Sequence, residues 1–227
     1  MTGVRGRLLK ALIFDFDGLI LDTETPEMQV WQEIFAGHGQ RLSVQTWGQI
    51  VGGAGHNHFD PVVHLESLVG HPIDSQAVNL LARRLSDEAI LREPVLPGAV
   101  ELIREAKNQG YPLAIASSSP HIWVDNHLKR LGLFEPFEVI ICADEVTHTK
   151  PDPELYLAAL RALNVEASQA IVFEDSPNGV QAARTAGIFT VAVPNALTIQ
   201  LGLDDANLVV NSLEDVSLEE LKKRLEQ

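Results

Sequence analysis

Short apolar runs without alternating polar residues constrain the fold of this 227-residue chain most strongly. Five such runs occur: ALIF (11–14), PLAIAS (112–117), FEVIIC (137–142), AIVFE (170–174) and IFTVAV (188–193). A strand is apolar along its whole length when both faces of its sheet are covered, and helical patterns separate these runs. The sequence therefore predicts an α/β protein with a parallel sheet between two layers of helices.

The interval between the first two runs is far longer than an ordinary crossover connection. Within it, residues 24–38 and 74–92 have the spacing of amphipathic helices, and no strong strand pattern occurs there. The simplest account is a small helical domain inserted after the first strand. We expect the chain to return to the sheet near Pro97-Gly98.

Four dipeptides that end in proline predict helix starts. They are Thr25-Pro26, Ser119-Pro120, Asp152-Pro153 and Ser176-Pro177. In each pair the first residue is a typical N-cap, and proline suits the first helical position. Three of the pairs follow predicted strands, so those helices should start at the carboxyl edge of the sheet, where α/β proteins bind anions.

Charged and hydroxyl side chains gather at the predicted ends of the same strands. They are Asp15, Asp17, the serines Ser117, Ser118 and Ser119, Lys150, Glu174 and Asp175. Carboxylates brought this close repel one another and raise one another's pKa, unless a cation relieves the repulsion. Mg²⁺ favours carboxylate and phosphate oxygens. The pattern thus predicts a Mg²⁺-dependent phosphate site with one carboxylate as nucleophile and another as proton shuttle.

At these residues the chain resembles the haloacid dehalogenase-like superfamily. The matching motifs are DFDGLILDTE (15–24), Ser117 after an apolar strand, Lys150 in TKPDP (149–153) and EDSPNG (174–179). The resemblance implies a Rossmann-like core of residues 1–21 and 95–227, with an α-helical cap inserted at 22–94.

The resemblance also assigns roles to the motif residues. It implies that Asp15 is the nucleophile that forms an aspartyl-phosphate and that Asp17 is the general acid and base. Mg²⁺ would be held by Asp15, Asp17 through its backbone carbonyl, and Asp175, joined by Glu174. The expected phosphate-binding residues are Ser117, Ser118 and Lys150, and the expected substrate contacts from the cap are Glu24, His56 and Asn57.

Departures from the family's patterns narrow the chemistry. Asp17 argues against carbon dehalogenases, which lack the second aspartate. Phosphonate hydrolases use a cap lysine, but no lysine occurs between Lys10 and Lys107. β-Phosphoglucomutases usually have a histidine in the hinge helix, where this chain has Glu27, and an arginine in the cap loop that here reads GGAGHNH (52–58).

The nearest resemblance is therefore to bacterial phosphatases of small phosphorylated metabolites, notably sugar phosphates. Two alternatives stay open: a sugar-phosphate mutase, and a non-catalytic interaction protein on a phosphatase scaffold. The intact set of motif residues argues against the second alternative.

Charge and cysteine content bear on partners and compartment. Seventeen Lys and Arg residues against 31 Asp and Glu residues give a net charge of −14, which disfavours nucleic acids and anionic membranes. Cys142 is the single cysteine, and Asp15 interrupts the N-terminal apolar run before it reaches signal-peptide length. We expect a cytoplasmic monomer whose partner is a small phosphorylated metabolite.

Overall fold

A computed structural model describes residues 8–48 and 59–226 of the chain, and six parallel strands form one sheet in it. The strands are β1 (Ala11–Phe14), β2 (Leu113–Ala116), β3 (Val139–Ile141), β4 (Ala170–Glu174), β5 (Phe189–Ala192) and β6 (Leu208–Val209). Their order across the sheet is β3-β2-β1-β4-β5-β6. The first five confirm the predicted runs. The sequence prediction missed β6, because two residues at a sheet edge are too short to produce a recognisable apolar run.

β1 lies in the middle of the sheet and is buried on both faces. It pairs in parallel with β2 on one side and β4 on the other. Since side chains alternate along a strand, Leu12 and Phe14 pack into one helical layer and Ile13 packs into the other. The ring of Phe14 also stacks on Phe173 of β4, with centroids 4.9 Å apart. The predicted parallel sheet between two layers of helices is confirmed.

Helices cover both faces of the sheet. One face carries α5 (Ala99–Asn108), α6 (His121–Leu131) and α9 (Leu218–Leu225), and the other carries α7 (Glu154–Leu163) and α8 (Pro177–Thr185). No helix in the described ranges 8–48 and 59–226 has the length and apolar content needed to cross a membrane.

The inserted segment is helical, as predicted. Between β1 and α5 stand α1 (Glu24–Gly37), α2 (Val44–Trp47), α3 (Pro61–Val69) and α4 (Ser75–Ile90). They bury their own apolar cluster, which includes Trp31, Phe35, Trp47 and Leu65. Leu197, from the loop after β5, joins this cluster and links the cap to the core. The limits at residues 22 and 94 stay a prediction.

The predicted helix starts are confirmed in one case of four. Ser176 caps α8 by accepting a hydrogen bond from Gly179 N at 3.1 Å, and Pro177 is the first residue of that helix. α1 begins one residue before Thr25, and Pro120 and Pro153 occupy the N-cap positions of α6 and α7 themselves. A proline that follows a loop can thus precede a helix instead of opening it.

The two connections between cap and core run side by side. Leu21, on the way out, pairs with Val95, on the way back, and Leu96 N donates a hydrogen bond to Ile20 O at 2.9 Å. After this return, Gly98 adopts a φ of +83° beside the turn that starts at Leu213. A β-carbon at Gly98 would lie 2.2 Å from Glu214 N.

Replacing Gly98 by alanine tests whether this close approach is needed. Gly110 provides a matched control, because its φ is +81° and a β-carbon added there would meet no atom within 4 Å. Both alanines carry the strain of a positive φ, about 1–2 kcal/mol, but only Gly98→Ala adds a clash with backbone. We expect it to lower the free energy of unfolding by about 2 kcal/mol more than Gly110→Ala in urea titrations. Equal losses would contradict the clash.

Candidate active site

Charged side chains converge at the carboxyl edge of the three central strands. Asp15 follows β1, Ser117 follows β2, and Glu174 ends β4 with Asp175 after it. Lys150 reaches the same point from the loop after β3. All five side chains are buried. Because β1 lies between β2 and β4 in parallel register, the ends of these strands meet at one point.

Lys150 neutralises part of this buried negative charge. Its Nζ forms ion pairs with Asp15 Oδ1 and with Glu174 Oε1, the latter at 2.7 Å. Burial alone would favour the neutral amine, but the two carboxylates outweigh it and raise the pKa of Lys150. The ammonium also lies 5.2 Å from the ring centroid of Tyr156. Lys150 is therefore a fixed positive charge at the floor of the site.

Glu174 has hydrogen-bond donors on both carboxylate oxygens. Oε1 forms the ion pair with Lys150 and accepts a hydrogen bond from the hydroxyl of Tyr156. Oε2 accepts hydrogen bonds from Asp175 N at 3.0 Å and from Ser176 N and Oγ at 3.3 and 3.2 Å. A β-carbon at Gly179 would lie 1.9 Å from this carboxylate, so α8 can pack here only with glycine at that position. The surrounding donors hold Glu174 in one orientation.

Asp175 is held at one oxygen only. Its Oδ2 accepts a hydrogen bond from Asn195 Nδ2 at 2.8 Å, whereas its buried Oδ1 has no hydrogen-bond partner among the described residues. Gly18 has a φ of +80°, and a β-carbon there would lie 2.2 Å from Oδ2. Burial, and then the neighbouring carboxylates of Glu24 and Glu174, raise the pKa of Asp175 well above its ordinary value.

The site fits a hard divalent cation. Asp15, Glu174 and Asp175 offer oxygens that lie within 4.8 Å of one another. Burial raises the pKa of Asp15 to about 8 against the opposing effect of Lys150. Asp175 Oδ1, which has no partner among the described residues, is a ligand of the kind that Mg²⁺ prefers. The raised pKa of Asp15 indicates that the site needs more positive charge than Lys150 supplies.

Asp17 lies beside this cluster and accepts four hydrogen bonds. Its Oδ1 accepts from Thr23 Oγ1 at 2.9 Å and Trp123 Nε1 at 2.8 Å. Its Oδ2 accepts from Ser117 Oγ at 3.2 Å and Ser119 Oγ at 2.7 Å. The prediction that Ser119 is an N-cap was wrong, because Pro120 occupies that position and the Ser119 hydroxyl donates to Asp17 instead.

Several residues of the site were not predicted from the sequence. Trp123, Tyr156 and Asn195 contact motif carboxylates without belonging to a motif, and Thr23 contacts Asp17 from a position inside the first motif that was given no role. The signal that could have found Trp123 is its position in the first turn of α6, the helix that follows the predicted phosphate ligands Ser117 and Ser118. Thr23 could have been singled out by its place in the first motif, whereas nothing local distinguishes Tyr156 and Asn195.

The remaining predicted residues lie around the opening of the site. Ser118 and Glu24 both line the cleft above Asp15. The Ser118 hydroxyl is buried without a hydrogen-bond partner in the described part of the chain. His56 and Asn57, the other two expected substrate contacts, lie outside the described residues.

A cleft of about 1120 Å³ separates this floor from the cap. Its cap wall includes Glu27, Trp31, Arg83 and Asp87, from α1 and α4. The Glu27 carboxylate faces the open cleft but has protein on most sides. Burial, followed by the negative charges of Asp17 and Asp87, raises its pKa to about 7. The cleft is wide enough for a small organic phosphate.

A second group of potential metal ligands lies near the loop that follows β2. His121, Cys142 and Asp144 bring ligand atoms within 4.8 Å of one another. Both ring nitrogens of His121 are already hydrogen-bonded, to Asp125 at 3.3 Å and Glu145 at 2.7 Å. Burial raises the pKa of the Cys142 thiol, which therefore keeps its proton. This group is internally satisfied.

Comparison with known proteins relates the chain to one family. The model of the haloacid dehalogenase-like hydrolases matches residues 9–187. YhcW of Bacillus subtilis, provisionally assigned as a phosphatase, is 43% identical over 211 residues, which cover 93% of this chain and 95% of YhcW. The phosphorylated carbohydrates phosphatase of Thermotoga maritima is 31% identical over 192 residues, covering 79% and 82%.

A solved structure shows the same fold. The β-phosphoglucomutase from Clostridium difficile superposes with a TM-score of 0.74, over 96% of this chain and 97% of that one. The two sequences are 23% identical, so this likeness concerns the architecture alone.

Asp175→Asn should change the sign of its effect on stability when Mg²⁺ is added. In chelator, the amide removes one of the crowded buried carboxylates, so the variant should be at least as stable as wild type. With Mg²⁺ at 100 times its dissociation constant, wild type should gain about 2.7 kcal/mol and the variant much less. Urea unfolding with Mg²⁺ or EDTA measures both effects.

The exposed Asp204 supplies the control for this comparison. Asp204→Asn should follow wild type in both buffers. Equal stabilisation of wild type and Asp175→Asn by Mg²⁺ would exclude Asp175 from the metal site.

Proposed function

The chain belongs to the haloacid dehalogenase-like hydrolases and is a phosphoric monoester hydrolase, and we propose that it releases inorganic phosphate from small sugar phosphates. One observation carries the proposal. Asp15 and Asp17 lie at a single sheet edge with the buried ammonium of Lys150, beneath a cleft that admits a small organic molecule.

The proposed reaction proceeds in two steps at Asp15. In the first, an Asp15 oxygen attacks phosphorus, an O–P bond forms, and the bond from phosphorus to the leaving oxygen breaks as Asp17 donates a proton to that oxygen. In the second, Asp17 takes a proton from the water that attacks the aspartyl-phosphate, which releases phosphate and restores both carboxyl groups. Ser117, Ser118 and Lys150 would bind the phosphoryl oxygens. The Ser118 hydroxyl has no hydrogen-bond partner among the described residues, which supports this role.

The proposed cofactor is Mg²⁺, held by Asp15, Asp175 and the backbone carbonyl of Asp17. When bound, it would neutralise charge on these carboxylates and on the phosphoryl oxygens. The five donors that already engage Glu174 favour a supporting role for that residue, as the group that orients Lys150 and the turn at Asp175.

The charge of the cap wall supports a polyhydroxy substrate. Three carboxylates, from Glu24, Glu27 and Asp87, face the cleft together with Arg83, and the indole of Trp31 adds an apolar surface. Carboxylates accept hydrogen bonds from sugar hydroxyls but repel a second phosphate. The Thermotoga relative, which is named for phosphorylated carbohydrates, agrees with this substrate class.

A sugar-phosphate mutase needs a second phosphate-binding site in the cap. Among the described cap arginines Arg83 lines the cleft, whereas Arg41, Arg84 and Arg92 do not. Arg130 lines the core side of the cleft, and its guanidinium group donates hydrogen bonds to the carbonyls of Leu91 and Glu93 and to His127. Within the described part of the cap, one cation among three cleft carboxylates favours hydrolysis over mutase chemistry. The intact catalytic set also disfavours a non-catalytic scaffold.

Asp15→Asn should lower turnover by at least about a thousandfold, because an amide cannot form the acyl-phosphate. Asp205→Asn, at an exposed position, is the matched control and should be unaffected. Turnover in water enriched in heavy oxygen should label the Asp15 carboxylate, which mass spectrometry of the proteolysed enzyme detects. Label that never enters Asp15 would favour direct attack by water instead.

A second experiment separates hydrolysis from isomerisation. Glucose 1-phosphate and glucose 6-phosphate are supplied separately, with and without a glucose bisphosphate. We expect phosphate release from both, with no requirement for the bisphosphate. The phosphatase proposal would be falsified if interconversion of the two esters were much faster than phosphate release from either.

A further inference from the structure

The carboxylate of Asp17 receives hydrogen bonds from three separate parts of the chain. Thr23 precedes the first cap helix, Ser117 and Ser119 belong to the loop after β2, and Trp123 lies on α6. The indole nitrogen of Trp123 is 2.8 Å from Oδ1, which is as short as a good N–H···O hydrogen bond.

The four donors differ in one chemical respect. Each of the three hydroxyls can rotate to donate or to accept a hydrogen bond, whereas an indole N–H can only donate. If Asp17 becomes protonated, its hydroxyl partners can reverse their roles and accept from the new O–H. Trp123 cannot, so Oδ1 must remain an acceptor toward it.

The Trp123 ring is itself held in place. It packs edge-on against His127, one turn further along α6, with ring centroids 4.4 Å apart. His127 is buried, packs against Phe16, and accepts a hydrogen bond at Nδ1 from Arg130 Nε at 3.4 Å. The indole therefore presents its N–H to Asp17 from a rigid support.

We propose that Trp123 is a positioning residue for Asp17, and that it directs the transferable proton to Oδ2. The inference rests on the proposed function, in which Asp17 protonates the leaving oxygen. As the bond between phosphorus and that oxygen breaks, the proton passes from Oδ2 to it. Asp17 is left as a carboxylate that the indole N–H stabilises. Oδ2 is also the oxygen beside Ser117, the expected phosphate ligand.

Trp123→Phe tests the proposal through its dependence on the leaving group. A sugar alkoxide needs a proton in order to leave, whereas p-nitrophenolate leaves readily without one. We expect kcat/KM for a sugar phosphate to fall about tenfold or more, in line with the size of general-acid effects. For p-nitrophenyl phosphate it should fall less than about threefold. The ratio of kcat/KM values isolates the step in which the leaving group departs.

Three further variants exclude a purely structural effect. Site-specific replacement of Trp123 by 3-benzothienylalanine keeps the bicyclic ring and exchanges only the N–H for sulfur. It should reproduce the change in ratio. Lys129→Ala removes an exposed side chain of the same helix outside the cleft and should leave the ratio unchanged. In an Asp17→Asn background, Trp123→Phe should change the ratio no further, because the acid is already absent.

The outcomes separate this proposal from the function on which it rests. If wild type hydrolyses both substrates but Trp123→Phe and the benzothienyl variant lower both equally, the positioning role is overturned while the phosphatase stands. If wild type hydrolyses neither substrate, the proposed function fails and the inference fails with it. Selective loss for the sugar phosphate in both variants supports the role of the indole N–H.

Discussion

The ion cluster around Lys150 is the interaction on which the rest of the site depends. Asp15 and Glu174 are both buried at the end of the sheet, and the Lys150 ammonium contacts both. Removing one partner of a buried ion pair typically costs about 3–5 kcal/mol, because the other charge is left uncompensated. Lys150 supplies part of the positive charge that these carboxylates require. Asp175 Oδ1 is buried without a hydrogen-bond partner among the described residues, so it is available to a further cation.

The parallel sheet explains why these charges meet. β1 stands between β2 and β4 with matched register, so residues that follow three strands emerge at one point. Apolar layers on both faces hold that register, since a shifted strand would move its buried side chains out of the core. Glycine permits the closest approaches: Gly18 and Gly179 lie where a β-carbon would collide with Asp175 and Glu174.

Asp17 connects this rigid floor to the inserted helices. Thr23, the N-cap of α1, shares one oxygen of Asp17 with Trp123 of the core. The proton-transfer group is therefore held jointly by the base of the cap and by the core helix that forms one side of the cleft. Any displacement of α1 would alter the environment of the carboxylate, so cap position and proton transfer share a physical link.

The sequence by itself determined the five main strands, the helical insertion and the identity of the charged residues at the sheet edge. Strand identity follows from local apolar pattern, and Asp15 with its partner motifs is recognisable within a few residues of chain. The tertiary structure alone decided the pairing of side chains. Trp123 and Asp17 are 106 residues apart, and no local signal encodes a hydrogen bond across that distance. The role of Ser119, the anchoring of Asp175 and the saturation of Glu174 depend in the same way on which elements pack together.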